Sequence, residues 1–459
     1  MSEIAAIRRL ARGGAARRAW EAFCAAGLDL RTDDAALLTL KGRLIKDLAI
    51  RADGDERTLL FRRAAEAYSA ASVFSDDSYP RINAATLVYL RGDRATAAAL
   101  ACDLLDMLDV GRHGAETPYW LSATRAEALL LIGQVGQAKA ALAKGIELAP
   151  GAREDRAATL RQFRRILAAT DSDDSWLAQF ALSPVMHFRG PMAIVSGAAE
   201  HMISAAVNDI GPALAFGALA AGTDIVAAEA ALALGAEIHV VLPSDVDSFR
   251  AGSVVPLGEG WHRRFDALVD AAHSLETLDE AGGLTMASVR LADDMAMGLA
   301  VTEAIASDSV PVMLRARWSG AADAPLLGAP HRLVTLDLDA RSDATAQVLP
   351  APLDPVFALV SRDDVTPRTV TVDQAENLPS HWQPGDVIDA YVPDGSDDND
   401  PPRLAGLAMV GDGERVLLSR PAAMIAIAQC AGFRPVLAGS TNGPSGVMDV
   451  YEITQDNTG

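Results

Sequence analysis

Cysteine is nearly absent from this chain. The three that occur, Cys24, Cys102 and Cys430, lie far apart and form neither a metal-ligand spacing nor a disulfide framework. They suit a reducing compartment and read as small buried hydrophobes. Aromatic residues make up only 5% of the chain, against 50% hydrophobic residues in all, so any core must be built from Ala, Leu, Val and Ile. Positive charge is also scarce: the formal net charge is −21 and the isoelectric point is near 4.7. That balance argues against a nucleic-acid-binding surface, which would need a basic patch, and disfavours docking on anionic lipid. No apolar run approaches a membrane span, and the N-terminal Arg8, Arg9, Arg12, Arg17 and Arg18 flank no apolar core of signal-peptide length. These arginines read as the solvated face of a first helix, and the chain as a cytoplasmic protein. Walker, His-Glu-x-x-His and Gly-x-Ser-x-Gly motifs are missing too, and no histidine pair has metal-ligand spacing.

What is present begins with helical punctuation. With 459 residues there is room for several domains, and residues 1–180 read as a tetratricopeptide-like helical repeat. Leu142, Gly145 and Pro150 close a segment in which Gly133 makes a turn and Ala138 starts the second helix. An earlier unit carries Ala64, Tyr68 and Ala71 on a helix that stops at Ser75-Asp76-Asp77. Between them stand Ile82–Leu90, the turn Arg91-Gly92-Asp93 and the helix Ala95–Leu108, with a longer loop near Val110–Thr117. Asn83 faces a small-residue helix and is expected to bond backbone. Asp171–Asp174 with Trp176 reads as a hinge and capping helix. Stacked helix pairs offer a curved surface to a protein partner and no catalytic constellation.

Pro191 to Pro243 changes character. Met192–Ser196, Ala213–Leu219 and Ile238–Leu242 are short apolar runs, and Ile225–Leu234 is an Ala-rich helix stopped by Gly235. Near-continuous apolar strands alternating with helices predict a parallel sheet covered on both faces. Leu291–Ala306 continues as a helix, with Val310–Arg315 and Leu333–Leu338 as strands, so five or more strands are expected. Ligands of such sheets sit outside the carboxyl ends of the strands. By this reading those ends are Ser196-Gly197, Ala220–Asp224 and Pro243–Asp245. Gly222 would let backbone approach a ligand, Thr223 or Asp224 would cap the following helix, and its N–H groups would suit a phosphate. Asp245 and Arg250 lie on an expected loop with Ser244, Asp247 and Ser248, where Arg250 can neutralise a phosphate and Asp245 can hold a ribose or cap a helix. His187, His201 and His262 lie near this rim, while His239 falls inside a strand as a satisfied core residue. Ser196 has no adjacent base to make it a nucleophile.

The segment GALAAGTDIVAAEAALALGAEIHVVLP resembles the second half of a SLOG-type Rossmann-like domain, a superfamily that includes the LOG and DprA-like proteins. Gly222, Asp224, Glu229 and Pro243 stand where that pattern has its Gly-Ala-Asp-type turn, helix Glu and closing Leu-Pro, and Ser196-Gly197 where its first Gly-rich turn would be. The resemblance spans Phe188 to Asp339 and implies a nucleotide or ADP-ribose-like ligand. The Pro-Gly-Gly-x-Gly-Thr motif of the LOG phosphoribohydrolases is missing, which argues against their hydrolysis. YPRINAATLVYLRGD and YWLSATRAEALLLIG are similar to repeats called TRAFs-binding in signalling kinases and bacterial cyclase-linked proteins.

After a polar linker, the last region reads as a small α+β domain with strands Val356–Val360, Arg368–Val372, Val387–Val392, Arg415–Leu418 and Asp449–Ile453, and a helix Pro421–Gly432. Asp394–Pro402 is an acidic loop. AGFRPVLAGSTNGPSGVMDVYEI resembles the end of a class III nucleotide cyclase domain, and Gly411-Asp412-Gly413 offers a competing placement. Cyclase chemistry needs acidic metal ligands on strands, and VFALVSRDD has none inside its strand. The region therefore resembles a degenerate remnant.

The expected architecture is multidomain α + α/β: a helical repeat over 1–180, a Rossmann-like parallel sheet over 185–340 and a small α+β domain over 353–455. The expected function is a signalling scaffold whose repeats bind a protein partner and whose SLOG-like domain senses a nucleotide-like molecule, with a homo-oligomer also open. The alternative is an enzyme on a nucleotide or nucleoside phosphate, with Asp224, Glu229 or Asp245 as the acid–base group. No metal is expected.

Overall fold

The computed structural model describes residues 3–192, 197–278, 284–320, 331–339, 356–361, 364–371, 382–383, 385–392, 403, 407, 415–429, 433–443 and 446–455. It divides into two compact units that meet between Leu182 and Ser183.

The first unit is a run of helical hairpins: α1 (Glu3–Arg12), α2 (Ala16–Ala25), α3 (Ala35–Ala49), α4 (Gly54–Phe74), α5 (Ser78–Leu90), α6 (Arg94–Asp109), α7 (Pro118–Leu131), α8 (Val135–Leu148) and α9 (Arg153–Ala168). Their starts follow local chemistry. Asp34, Asp93 and Thr117 cap α3, α6 and α7 by accepting from first-turn N–H groups, and Pro118 opens α7. Small residues let paired helices close: a Cβ on Gly42 would meet the Tyr68 ring at 2.9 Å, and one on Gly145 would meet Ser122 at 2.9 Å. Polar groups tie alternate helices together. Lys46 donates to Asn83 at 2.7 Å, Asn83 donates to the Tyr79 carbonyl at 2.9 Å, and Glu127 accepts from Thr86 and Gln162. Asn83 thus bonds backbone, as its surroundings suggested. Arg156 closes the unit by donating to the carbonyls of Phe180 and Ala181 at 2.7 and 3.0 Å.

The second unit opens with a six-stranded, all-parallel sheet. Its strands are β1 (Val185–Arg189), β2 (Leu214–Gly217), β3 (Glu237–Leu242), β4 (Ser274–Thr277), β5 (Pro311–Trp318) and β6 (Arg332–Leu338), in the order β4-β3-β2-β1-β5-β6. The chain steps outward from β1 to β4 through α10 (Gly197–Ile210), α11 (Thr223–Ala233), α12 (Val246–Ser253) and α13 (Glu259–Ala271). It then returns through α14 (Met286–Ala306) to lay β5 on the other side of β1. Alternation along each strand sorts the two faces. Met186, Phe188, Ile238, Val240 and Leu314 bury against α10, α11 and α13, while Val185, Leu214, Phe216 and Val241 bury against α14.

A second six-stranded sheet, of mixed direction, follows: β7 (Val356–Ser361), β8 (Asp364–Thr371), β9 (Val387–Tyr391), β10 (Leu417–Ser419), β11 (Phe433–Gly443) and β12 (Gly446–Gln455), ordered β11-β12-β10-β9-β7-β8. Helix α15 (Arg420–Gln429) covers it and packs on α14, so Ile388, Ala390, Leu418 and Met424 share one core with Met295 and Ala296. Arg420 reaches Glu276 of β4 at 2.6 Å.

Two expectations are corrected. The first strand is Val185–Arg189 rather than Met192–Ser196: Gly190-Pro191 ends it, and Met192 makes only an isolated bridge to Gly222. The segment from Ser244 to Arg250 is not a loop throughout, because Asp245 caps α12 by accepting from the Ser248 N–H at 2.9 Å. Strand β11 had not been expected at all.

Candidate functional site

In a doubly wound sheet the crevice opens where the strand order reverses, at the carboxyl ends of the two strands that flank the reversal. Here those strands are β1 and β5. The chain leaving β1, Gly190-Pro191-Met192, folds against the start of α11. The Thr223 hydroxyl and amide both donate to the Pro191 carbonyl, at 3.0 and 3.3 Å, and Met192 bridges Gly222. Gly222 has φ 132° and ψ −125°, a conformation that L side chains avoid, and a Cβ on Gly190 would meet Thr223 at 2.6 Å. Both turns therefore require glycine for this approach.

Asp224 sits in the first turn of α11 and is 8% exposed. Its Oδ2 accepts from the Ala220 N–H at 3.3 Å, and the Gly190 N–H also favours its charge. Its Oδ1 is buried with no hydrogen-bond partner among the described residues. Burial, and then the neighbouring Asp293 carboxylate, push its pKa up to about 7 against the pull of those amides and of Arg189.

Asp293 comes from α14 and meets β1 from the opposite face. It forms an ion pair with Arg189 and lies against His187, whose Nε2 is 3.1 Å from Oδ1. Burial alone would raise its pKa, but the Arg189 guanidinium and His187 overcome that and hold it at about 2. Arg189 is raised above its ordinary value mainly by Asp293, against partial desolvation, although its side chain is 44% exposed. The rim thus holds a buried carboxyl, Asp224, and a partly buried one, Asp293, around one guanidinium. Asp293 is committed to Arg189, and Asp224 is left with one oxygen unpartnered among the described residues.

The sequence-predicted residues divide. Gly222, Thr223 and Asp224 come together at this rim with the strand end at Arg189. Gly197 begins α10, and Ser196 lies outside the described residues. Glu229 lies further along α11, where Arg264 of α13 grips it with two bonds of 2.9 and 2.7 Å and also reaches Glu200 of α10 at 3.4 Å. Pro243 follows β3, and Asp245 is engaged as the cap of α12. Arg250 is shared between Asp266 at 3.0 Å and Asp247 at 2.5 Å. Sequence reasoning missed Arg189 and Asp293. The available signal was the adjacent acid pair Asp293-Asp294 inside a mostly apolar helix.

In the second sheet, Asp389 of β9 is fully buried; burial raises its pKa against the opposing Arg403 guanidinium, which lies 3.3 Å away. Residues 411–413, the competing cyclase placement, lie outside the described residues. No group of three or more acidic, His or Cys side chains among the described residues is placed to hold a metal ion, and no described helix is long and apolar enough to cross a membrane.

No protein-family model matches the chain, and no curated protein matches it. One solved structure, a mutant O-GlcNAc transferase from Thermobaculum terrenum, is similar over 64% of this chain and 52% of its own, at 12% identity and a TM-score of 0.20. The matched part spans about half of that protein, and a likeness this distant carries no functional argument.

Proposed function

We propose that the second unit binds a nucleotide-like small molecule at the rim between β1 and β5, and that the helical hairpins recruit a protein partner. The protein is then a signalling scaffold. One observation carries the ligand reading: at the switch point of a parallel sheet, a buried Asp224 with an oxygen unsatisfied among the described residues stands beside Arg189 at the start of α11. Unsatisfied buried oxygens are rare in folded proteins and demand an explanation, and a ligand group is one. The helix start and Arg189 favour an anionic portion. The resemblance of residues 188–339 to SLOG-type domains supports a nucleotide as the class.

Calorimetric titration against a panel of nucleotides and ADP-ribose is the test. Binding is expected, weakened about tenfold or more by Arg189→Gln, because a charge-assisted hydrogen bond contributes about 1.5–3 kcal/mol. No binding to any member at millimolar concentration overturns the reading.

A nucleotide-processing enzyme is the second reading, favoured by the same Asp224, whose pKa of about 7 suits a general acid or base. Product formed from labelled nucleotides and abolished in Asp224→Ala supports it. Binding without turnover, with and without Mg²⁺, supports the scaffold.

A further inference from the structure

We propose that the rim site takes up a proton with its ligand: Asp224 binds as the neutral acid and donates from Oδ1 to an oxyanion of constant charge. The inference rests on the ligand reading above.

The charge arrangement points there. The start of α11 attracts anions through its dipole, although the Thr223 amide is already given to the Pro191 carbonyl. An ionised Asp224 in its first turn cancels that attraction. Asp293 and Arg189 act on it directly, and further titratable and charged groups stand on the surrounding elements. β1 supplies Arg189 and His187, α14 supplies Asp293 and Asp294, and β5 supplies Arg315, in register with Arg189. β2 supplies none. Arg264 of α13 is engaged by Glu200 of α10 and Glu229 of α11, while Glu237 and His239 of β3 lie against His273 and Ser274. Asp293 already pairs with Arg189, so an anion entering beside an ionised Asp224 would meet a second, uncompensated buried carboxylate. Protonating Asp224 removes that repulsion. It also gives the idle Oδ1 a hydrogen to donate, while Oδ2 keeps the Ala220 N–H. The proton comes from solvent and remains on the carboxyl while the ligand is bound.

ADP-ribose suits the test, because its pyrophosphate diester holds its charge across neutral pH. Calorimetry on the full chain from pH 6 to pH 8.5 should show the wild-type affinity falling about tenfold per pH unit above pH 7, with about one proton taken up per ligand near pH 8. Asp224→Asn imitates the neutral acid in shape. Its affinity should stay flat across that range and match the wild type at pH 6, with no proton uptake. Circular dichroism confirms that the variant is folded. Equal pH slopes in both proteins overturn the proton linkage while leaving the ligand reading intact. Loss of binding in folded Asp224→Asn at every pH also overturns it, because Asp224 would then serve as a charged acceptor. If neither protein binds ADP-ribose or any other member of the panel, the ligand reading itself fails, and this inference with it.

Discussion

Asp224 carries a stability consequence apart from any ligand. Its pKa in the fold is about 7 against 3.8 for the free side chain, so folding favours the protonated form. Below pH 3.8 both states hold the proton and the group costs nothing. As pH rises from 3.8 towards 7 the unfolded chain ionises first, and the cost grows. Above pH 7 it is complete, at roughly 4 kcal/mol. Asp224→Asn removes the charge and keeps the shape. Its melting temperature should equal the wild type at pH 4 and exceed it by about 5 °C or more at pH 8. Calorimetric melts at the two pH values check this, and a variant less stable at both would show that the carboxylate is a net stabiliser. Asp293 has the opposite sign. Its pKa is held at about 2, so its contribution is present above pH 3.8 and is lost as pH falls towards 2.

Among the elements, α14 has two faces at work. One packs on the parallel sheet, and the other lies so close to α15 that a Cβ on Gly298 would collide with the Met424 carbonyl oxygen. Backbone cannot yield as a side-chain tip can. Gly298→Ala should therefore destabilise the second unit by about 1–3 kcal/mol, despite the better helix propensity of alanine. Gly136→Ala in α8 is the contrast: nothing lies within 4 Å of its Cβ position, so propensity alone acts and a gain of about 0.5–1 kcal/mol is expected. Urea midpoints read both; a Gly298→Ala gain would mean that α14 and α15 separate easily. β2, α11 and β3 were legible because apolar runs end on glycine or proline. β1 was not, because His187 and Arg189 dilute it, and their partner Asp293 lies more than a hundred residues away. β11 was hidden by Pro435 and Gly439, which an edge strand with a register shift tolerates. Asp224 and its turn were legible as a candidate; its tension with Asp293 needed the fold.

For the whole molecule, the boundary between Leu182 and Ser183 has a direct consequence. The first unit finishes its own core before that point: Leu177 and Phe180 are buried with Phe163 and Leu160, and Trp176 packs against Phe163 and Phe180. Arg156 satisfies the last carbonyls, at Phe180 and Ala181. The second unit begins with its central strand, since β1 is flanked on both sides and supplies Arg189 to the rim. Its two sheets share one core through α14 and α15 and are further tied by Arg420 and Glu276, so a cut between them would expose apolar surface on both sides. Residues 1–182 and 183–459, expressed separately, should each melt cooperatively, whereas 183–340 alone should not. ADP-ribose binding, if the full chain shows it, should remain with 183–459 at an affinity within about threefold, because every described rim residue lies there. Calorimetry on the fragments decides the matter. A cooperative 183–340 would make the second sheet an independent domain, and binding lost from 183–459 would require the helical unit to complete the site.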